Sequence, residues 1–222
     1  YTKALSLSRL AYDLENIISP MLAGLLLTVM SYHNLFLGTV VGFIGSALFV
    51  VSAKLPNAKM PEFIGVYNRI KQGAKIYFRT PRLKALLALN LAIASASAVV
   101  IVNTVVLVQT TFELTEQATT WAFGLFGLGS MLAAFALPKI LDKLNDRAVM
   151  LSGTVVLVVG LLSGYFISTY AWLLALWFIL GIGYSVSQTP TGRLIRKSAS
   201  SENRAALFAA QFAFSHACWL IT

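Results

Sequence analysis

The sequence has few charged residues and a single cysteine, and none of its long apolar blocks alternates polar with apolar residues as a barrel strand does. Charged residues make up 11% of its 222 residues, whereas a soluble domain carries about a quarter. The lone Cys218 lies in an apolar block, which excludes a disulfide framework and a cysteine-based zinc site. Strands of a membrane barrel alternate over about 10 residues, so a β-barrel is excluded as well. These absences predict an all-α membrane protein.

Long apolar blocks are what the sequence has instead. Hydrophobic residues make up 58% of the chain and the mean hydropathy is +0.77. A helix that crosses a hydrocarbon core needs about 20 apolar residues. We predict seven transmembrane helices, in the blocks 12–30, 35–53, 85–108, 121–137, 149–167, 172–189 and 205–222. The first block begins too late and is too long for a secretory signal, and the chain ends inside the seventh, so we interpret the sequence as a fragment.

The 17 basic residues, which outnumber the acidic ones and give a net charge of +9, all fall in alternate gaps between these blocks. Segments 1–11, 54–84, 139–148 and 190–204 contain them, and the gaps 31–34, 109–120 and 168–171 contain none. Lys and Arg are retained on the cytoplasmic side of short loops. This partition predicts an integral protein of the plasma (inner) membrane whose basic loops are cytoplasmic. Confinement to short loops excludes the continuous basic surface that a nucleic-acid partner would need.

The longest basic gap, 54–84, contains an amphipathic pattern. From Pro61 to Arg82, apolar residues recur at helical spacing with basic residues between them. A helix of this type lies on an anionic inner leaflet, or it packs on the cytoplasmic face of the protein itself. Both interpretations stay open, and either makes the segment a connector between two membrane halves.

Three segments resemble motifs of the major facilitator superfamily. Segment 19–24, Ser-Pro-Met-Leu-Ala-Gly, resembles the Gly-Pro-x-x-Gly-Gly run in the fifth helix of its exporters, with Ser and Ala in place of glycines. Segment 138–147 resembles its cytoplasmic Gly-x-x-x-Asp-Arg/Lys-x-Gly-x-Arg loop, matching at Asp142, Lys143 and Arg147, whereas Pro138 and Asn145 replace glycines. Segment 73–83 resembles the run that leads into helix seven of multidrug and siderophore exporters in the superfamily.

The resemblance implies helices five to eleven of a twelve-helix transporter. Residues 1–53 would then end the N-terminal half with two helices, 54–84 would form the connector, and 85–222 would supply five helices of the C-terminal half, the last truncated. A secondary active transporter follows, and we expect proton-driven export of small amphipathic solutes by alternating access. Helices one to four and twelve, where much of the coupling chemistry of the family lies, would be missing.

Two sets of residues are candidates for gating. Pro20 bends its helix by removing a backbone donor, and small residues around Gly24 let a neighbour approach closely. A moving interface and a static contact are both consistent with this. Asp142, Lys143 and Arg147 form a latch between helices, by resemblance to the family, or a solvated loop that is simply retained on the cytoplasmic side.

Glu15 is the candidate for proton coupling. A carboxylate at membrane depth costs free energy, at least about 2.5 kcal/mol near the centre, so its presence asks for a reason. Glu15 lies near the cytoplasmic end of its block, where that cost falls, and pairing with a basic loop residue such as Arg9 is the alternative.

Four polar residues are candidates for the substrate cavity: Asn90, Asn103, Tyr184 and Gln188. They lie in the third and sixth blocks, which would take the places of helices seven and ten, the helices that line the central cavity in the family. Ser97, Thr104 and Trp177 share faces with them at helical spacing. Polar atoms in hydrocarbon need partners or water, so hydrogen bonds between helices are the alternative to a cavity.

Other functions are weighed against transport by export. An importer of a small metabolite and a non-transporting receptor or scaffold stay open. An enzyme is rejected because the sequence has no His-Glu-x-x-His, no Gly-x-Ser-x-Gly and no nucleotide-binding glycine loop. The expected partners are a small-molecule substrate, protons and the lipid bilayer, with no cofactor and no metal; substrate identity and oligomeric state are not determined by these patterns.

Overall fold

The computed structural model describes residues 29–53 and 66–222, together with the single positions Leu7, Ala11, Glu15 and Leu26. Within this part of the chain the regular structure is helical, which confirms the all-α prediction. The helices are α1 (Tyr32–Ser52), α2 (Val66–Arg79), α3 (Pro81–Val105), α4 (Glu116–Lys143), α5 (Asp146–Gly164), α6 (Tyr170–Gln188), α7 (Thr191–Ser198) and α8 (Arg204–Ile221). A π-helical segment, Val106–Thr111, extends α3 at its C-terminal end.

Five of the described helical segments are long and apolar enough to cross a membrane. They match the second to sixth predicted blocks: His33–Ser52, Pro81–Thr111, Glu116–Lys143, Asp146–Gly164 and Tyr170–Ser198. The seventh block corresponds to α8, which has 18 residues and includes the polar Gln211 and His216. Most of the first block, 12–30, lies outside the described residues.

Local chemistry accounts for several helix boundaries. Pro81 stands at the first position of α3, where its missing N–H costs nothing and its fixed φ suits a helix start. Thr169 precedes α6, and its hydroxyl oxygen accepts a hydrogen bond from the backbone N–H of Trp172 at 3.3 Å, as a capping threonine does. With Pro81 starting α3, a single residue, Thr80, separates α2 from α3.

Helix α6 lies between α4 and α5 and contacts both extensively. On the α4 side, a methyl group added at Gly129 would collide with the carbonyl oxygen of Phe178, and one added at Gly181 would collide with that of Phe126. On the α5 side, a methyl group at Gly153 would come within 2.6 Å of a backbone nitrogen of α6. Glycine at these crossings lets the helix backbones touch, which is how membrane helices gain packing energy.

A buried core joins α3 to this group. Side chains from α6 are central to it, including Leu173, Leu180 and Trp177, and Ile93 and Val100 of α3 pack among them. The helices α3 to α6 therefore form one packed unit.

Helix α2 packs against the first turns of α8. A methyl group at Gly73 would come within 2.6 Å of the carbonyl oxygen of Ala206. The buried Tyr77 hydroxyl donates a hydrogen bond to Oε1 of Gln211 at 2.5 Å, and burial, with a smaller effect from Cys218, raises the pKa of this phenol. Of the two interpretations of the connector, the structure shows the packed one for this face of α2.

Helix α1 differs from the others because it is almost entirely exposed. Among its described side chains, Leu35 and Gly45 alone are partly buried. A methyl group added at Gly38, Gly42 or Gly45 would meet no described atom within 4 Å. No helix in the part of the chain that the structure describes packs against the glycines of α1.

The basic residues of the described helices lie at one end of the bundle. Helices α3, α5 and α8 begin at this end, and α4 and α6 finish there. We call it the basic end and define it as segments 71–84, 139–147 and 193–204. At the opposite end the described charges are the acidic Glu113 and Glu116. The two ends of the bundle therefore follow the partition of charge found in the sequence.

Candidate functional site

The polar faces of α3 and α6 meet at one buried point. The Trp177 indole N–H donates a hydrogen bond to the hydroxyl oxygen of Thr104 at 2.6 Å, and the Thr104 hydroxyl donates to the carbonyl oxygen of Val100. Thr104 is fully buried and Trp177 nearly so. These two side chains satisfy each other, so this stretch of the shared face is a contact between helices.

The four predicted cavity residues fall into two pairs by burial. Asn90 and Tyr184 are buried, with 4% and 8% of their surface exposed, whereas Asn103 and Gln188 are half-buried. The ring of Tyr184 lies 5.7 Å from that of Phe126 on α4. None of the four is fully exposed at the helix surface.

Asn90 and Gln188 each carry an unsatisfied amide atom. Among the described residues, Nδ2 of Asn90 and Oε1 of Gln188 are buried without a hydrogen-bond partner. Buried polar groups in native proteins are paired with protein groups or ordered water, and an orphaned group asks for an explanation. A polar ligand atom or a water at these two positions would supply the missing bonds.

Hydroxyl groups extend this set along the same two helices. The Oγ atoms of Ser97 and Ser185 and Oγ1 of Thr189 are also buried with no partner in the described chain. Ser185 and Thr189 are functional candidates that the sequence reasoning missed. The sequence did contain a signal for them. Both lie within one helical turn of Gln188, and they extend the run of polar residues at the end of α6.

At the basic end, a carboxylate is held between two cations. Asp146, 5% exposed, stands at the first position of α5. Its Oδ1 lies 3.0 Å from Nε of Arg193, and its Oδ2 lies 2.5 Å from Nζ of Lys197. A carboxylate at a helix N-terminus is also favoured by the helix dipole, by about 0.3 to 1 kcal/mol. The cluster ties α5 to α7.

The predicted latch residues lie beside this cluster and have different surroundings. Asp142, Lys143 and Arg147 are exposed, and they are not part of the ion pairs that Asp146 forms. Sequence reasoning identified this charged turn but not Arg193 and Lys197 as the partners of Asp146. The spacing of Arg193 and Lys197, one helical turn apart, was the available signal for a shared anionic partner.

Three other predicted residues can be placed only in part. Glu15 is helical and exposed, with most of its neighbours along the chain outside the described residues. Pro20 and Gly24 lie outside the described residues altogether, so the predicted moving interface stays a prediction.

One comparison with known proteins identifies the family. The family model of the Major Facilitator Superfamily matches residues 1–222, which is the whole chain. The chain belongs to the major facilitator superfamily. Comparison with curated proteins and with solved structures gives no match.

As a member of the major facilitator superfamily, the protein is an integral membrane transporter. Members of the superfamily carry small molecules and are not enzymes. The apolar spans, the glycine crossings and the orphaned amides of α3 and α6 are then parts of a transport protein. The expectation of a membrane transporter of this superfamily is confirmed at this level.

Proposed function

We propose that the protein is a proton-driven exporter of small amphipathic solutes that works by alternating access. In this proposal the first predicted block and α1 are helices five and six, and α3, α4, α5, α6 and α8 are helices seven to eleven. The basic end faces the cytoplasm at the plasma membrane. Residues 1–53 end one half of the transporter, and 85–222 belong to the other.

The absence of fixed charge along the spans carries the proposal for the substrate. No Asp, Glu, Lys or Arg occurs in segments 85–112, 117–138, 148–192 or 205–222. What these helices offer a solute is amide and hydroxyl groups beside aromatic rings. Such a lining suits an apolar body with a few polar atoms, and it gives a strong anion no counter-charge.

The substrate would bind where the orphaned polar atoms lie. We place it between α3 and α6, with Asn90 and Gln188 bonding its polar atoms and the ring of Tyr184 contacting its apolar part. Asn103 lies toward the opposite end of α3 and would line the same path. Thr104 and Trp177, which already hydrogen-bond each other, would line the path without binding the substrate.

Two charge sets at the basic end would have different roles. Asp146, buried and paired with Arg193 and Lys197, would be a brace that keeps α7 in place in every state. The exposed Asp142, Lys143 and Arg147 would form the latch, engaging the other half of the transporter when the basic end is closed. Pro20 and Gly24 would let the first predicted helix follow that movement.

Glu15 would carry the proton. Among the described carboxylates, Glu15 lies within a predicted span, whereas the others lie at helix ends or in loops. Exchange of solute across the membrane requires no net proton movement, whereas accumulation driven by a pH gradient does. A Glu15→Gln variant should therefore keep exchange and lose accumulation.

The test uses inside-out vesicles containing the full-length protein and a fluorescent amphipathic cation. An acid-inside gradient should drive uptake by the wild type, and Glu15→Gln should reduce that uptake to background while exchange continues. Glu116→Gln, which changes an exposed carboxylate at the opposite end, is the matched control and should keep both activities. Uptake driven only by a gradient of the opposite sign would contradict export and favour import.

Orientation is tested separately by cysteine labelling in a Cys218→Ala background. Lys71→Cys and Glu116→Cys place one thiol at each end of the bundle. An impermeant maleimide should label position 71 in inside-out vesicles and position 116 in right-side-out vesicles. Labelling of both from the same side would overturn the proposed topology.

A further inference from the structure

Helix α2 has two faces of opposite chemistry. Gly73 and Tyr77, four residues apart, lie on the face that packs against α8. Lys71, Lys75 and Arg79 also recur every four residues and share the other face, where all three are exposed. Docking on α8 therefore fixes the direction in which the basic face points.

Two more cations follow this face along the chain, at the start of α3. Arg82 and Lys84 are exposed in the first turn of α3, one residue after α2 ends. We define the cationic face as Lys71, Lys75, Arg79, Arg82 and Lys84. Because the apolar helical segment long enough to span the membrane begins at Pro81, we place the last two at the level where this helix enters the headgroups.

The cationic face has no counter-charge in the part of the chain that the structure describes. None of its five residues forms an ion pair or hydrogen bond with a described residue, unlike Arg193 and Lys197, which share Asp146. No acidic residue occurs in the sequence between Glu62 and Glu113. The face therefore presents charge of one sign, and it lies beside a bilayer.

We propose that the cationic face binds the headgroups of anionic phospholipids in the leaflet at the basic end. Basic residues close to an anionic bilayer are attracted to it, and the attraction fades within a Debye length. Arg79 and Arg82 satisfy that distance because they flank the start of a membrane span. Phe78, half exposed and directly before Arg79 in the sequence, adds an apolar group at this end of α2.

A lipid surface fits this face better than a folded protein does. Protein interfaces have an apolar core surrounded by a polar rim, whereas Phe78 is the sole large apolar side chain described as exposed on α2. An anionic bilayer needs no matching shape and is already in contact with α3. The ligand class is an anionic phospholipid such as phosphatidylglycerol.

The experiment measures lipid preference on the detergent-solubilised full chain. Short-chain phosphatidylglycerol and phosphatidylcholine are titrated separately, and binding is followed by native mass spectrometry. The wild type should bind phosphatidylglycerol more tightly. The triple variant Lys75→Gln, Arg79→Gln, Arg82→Gln should lose this preference by at least about tenfold, given the attraction per basic residue near an anionic surface.

Matched variants separate this site from total charge. Lys139→Gln, Lys143→Gln, Arg147→Gln removes the same number of charges from the same end, and should keep the preference within about twofold because those residues adjoin acidic Asp142 and Asp146. Lys75→Arg, Arg79→Lys, Arg82→Lys keeps the charge and should keep the preference. The glutamine triple leaves the α8-packing face intact, and an unchanged thermal midpoint would verify its fold.

Three results would overturn the proposal. The glutamine triple variant could retain its preference for phosphatidylglycerol, or the control triple could lose as much. Free glycerophosphoglycerol, the headgroup without acyl chains, could compete as well as the lipid, which would mean a site for soluble phosphate compounds. Because these measurements need no transport and no pH gradient, their outcome is independent of whether the protein is an exporter.

Discussion

Asp142, in the last turn of α4, and Asp146, the first residue of α5, are four residues apart, yet their surroundings are opposite. Asp142 is exposed, whereas Asp146 is buried between Arg193 and Lys197. A buried carboxylate with fixed partners keeps the same contacts, whereas an exposed carboxylate can form and break contacts with a moving partner. Position relative to α7, rather than residue type, gives the two carboxylates their different surroundings, on which the proposed roles of brace and latch rest.

The same contrast occurs between glycines of α4. Gly129 lies against the backbone of α6, whereas a methyl group at Gly124 would meet no described atom within 4 Å. The glycines of helix α1 are like Gly124, because a methyl group added at any of them would also meet no described atom within 4 Å. In both comparisons, identical residues close in sequence differ in whether another helix has approached them.

Asp146→Asn should have the largest effect on stability. Removing the charge takes away the carboxylate that Arg193 and Lys197 share, and breaking a buried pair costs about 3 to 5 kcal/mol. Lys197 is 54% exposed, and exposed partners contribute little, so we expect about 2 to 3 kcal/mol. The measurement is the thermal unfolding midpoint in detergent.

Asp142→Asn is the control for this prediction and should change stability by less than about 0.5 kcal/mol, as exposed positions do. Equal losses for the two variants would remove the distinction between brace and latch.

Gly129→Ala should follow in size. The added methyl group collides with the carbonyl oxygen of Phe178, a backbone atom that cannot rotate away, and overpacking of this kind costs about 1 to 3 kcal/mol. Chemical denaturation in mixed micelles measures the change in unfolding free energy.

Gly124→Ala on the same helix should be neutral or slightly stabilising, because alanine has the higher helix propensity. A destabilised Gly124→Ala would mean that this position has a neighbour outside the described residues.

Tyr77→Phe should have a smaller effect, of about 1 kcal/mol. It removes the hydrogen bond to Gln211 while keeping the ring, which packs 5.0 Å from that of Phe214, and single hydrogen bonds contribute about this amount. Hydrogen exchange of α2 amides should rise in the variant, since the α2–α8 contact is weakened.

Tyr165→Phe, an exposed tyrosine at the opposite end, should leave stability and exchange unchanged. Equal hydrogen exchange of α2 in wild type and Tyr77→Phe would show that this bond does not hold the connector.

Thr104→Val should have the smallest effect. It deletes the acceptor of the Trp177 indole at nearly constant volume, and hydrogen bonds between membrane helices average about 0.6 kcal/mol. Substrate preference should not change, because in the proposed path this pair lines the wall and does not bind the substrate. Gln188→Ala should change the order of preference among transported solutes, and a reversed pattern in these two variants would move the path to the Thr104 level.

The helices and the gathering of basic residues were predictable because both follow from one-dimensional patterns. Apolar length alone predicts a span, and the charge partition needs only the order of loops. Spacing also predicted that Thr104 lies on the polar face of the third block and Trp177 on that of the sixth.

Partners across space were not predictable. Periodicity shows that Thr104 lies on a face but not that Trp177 faces it. The pairing of Asp146 depends on the path of α7 after the end of α6, which no local pattern encodes. The docking of α2 had a partial signal, since Gly73 provides a small residue one turn before Tyr77.

The most direct test of brace against latch measures transport and thermal midpoint on the same proteoliposome preparations of wild type, Asp142→Asn and Asp146→Asn. We predict that Asp142→Asn lowers the transport rate at an unchanged midpoint, and that Asp146→Asn lowers the midpoint itself. Wild-type transport by Asp142→Asn, or an unchanged midpoint for Asp146→Asn, would contradict the account.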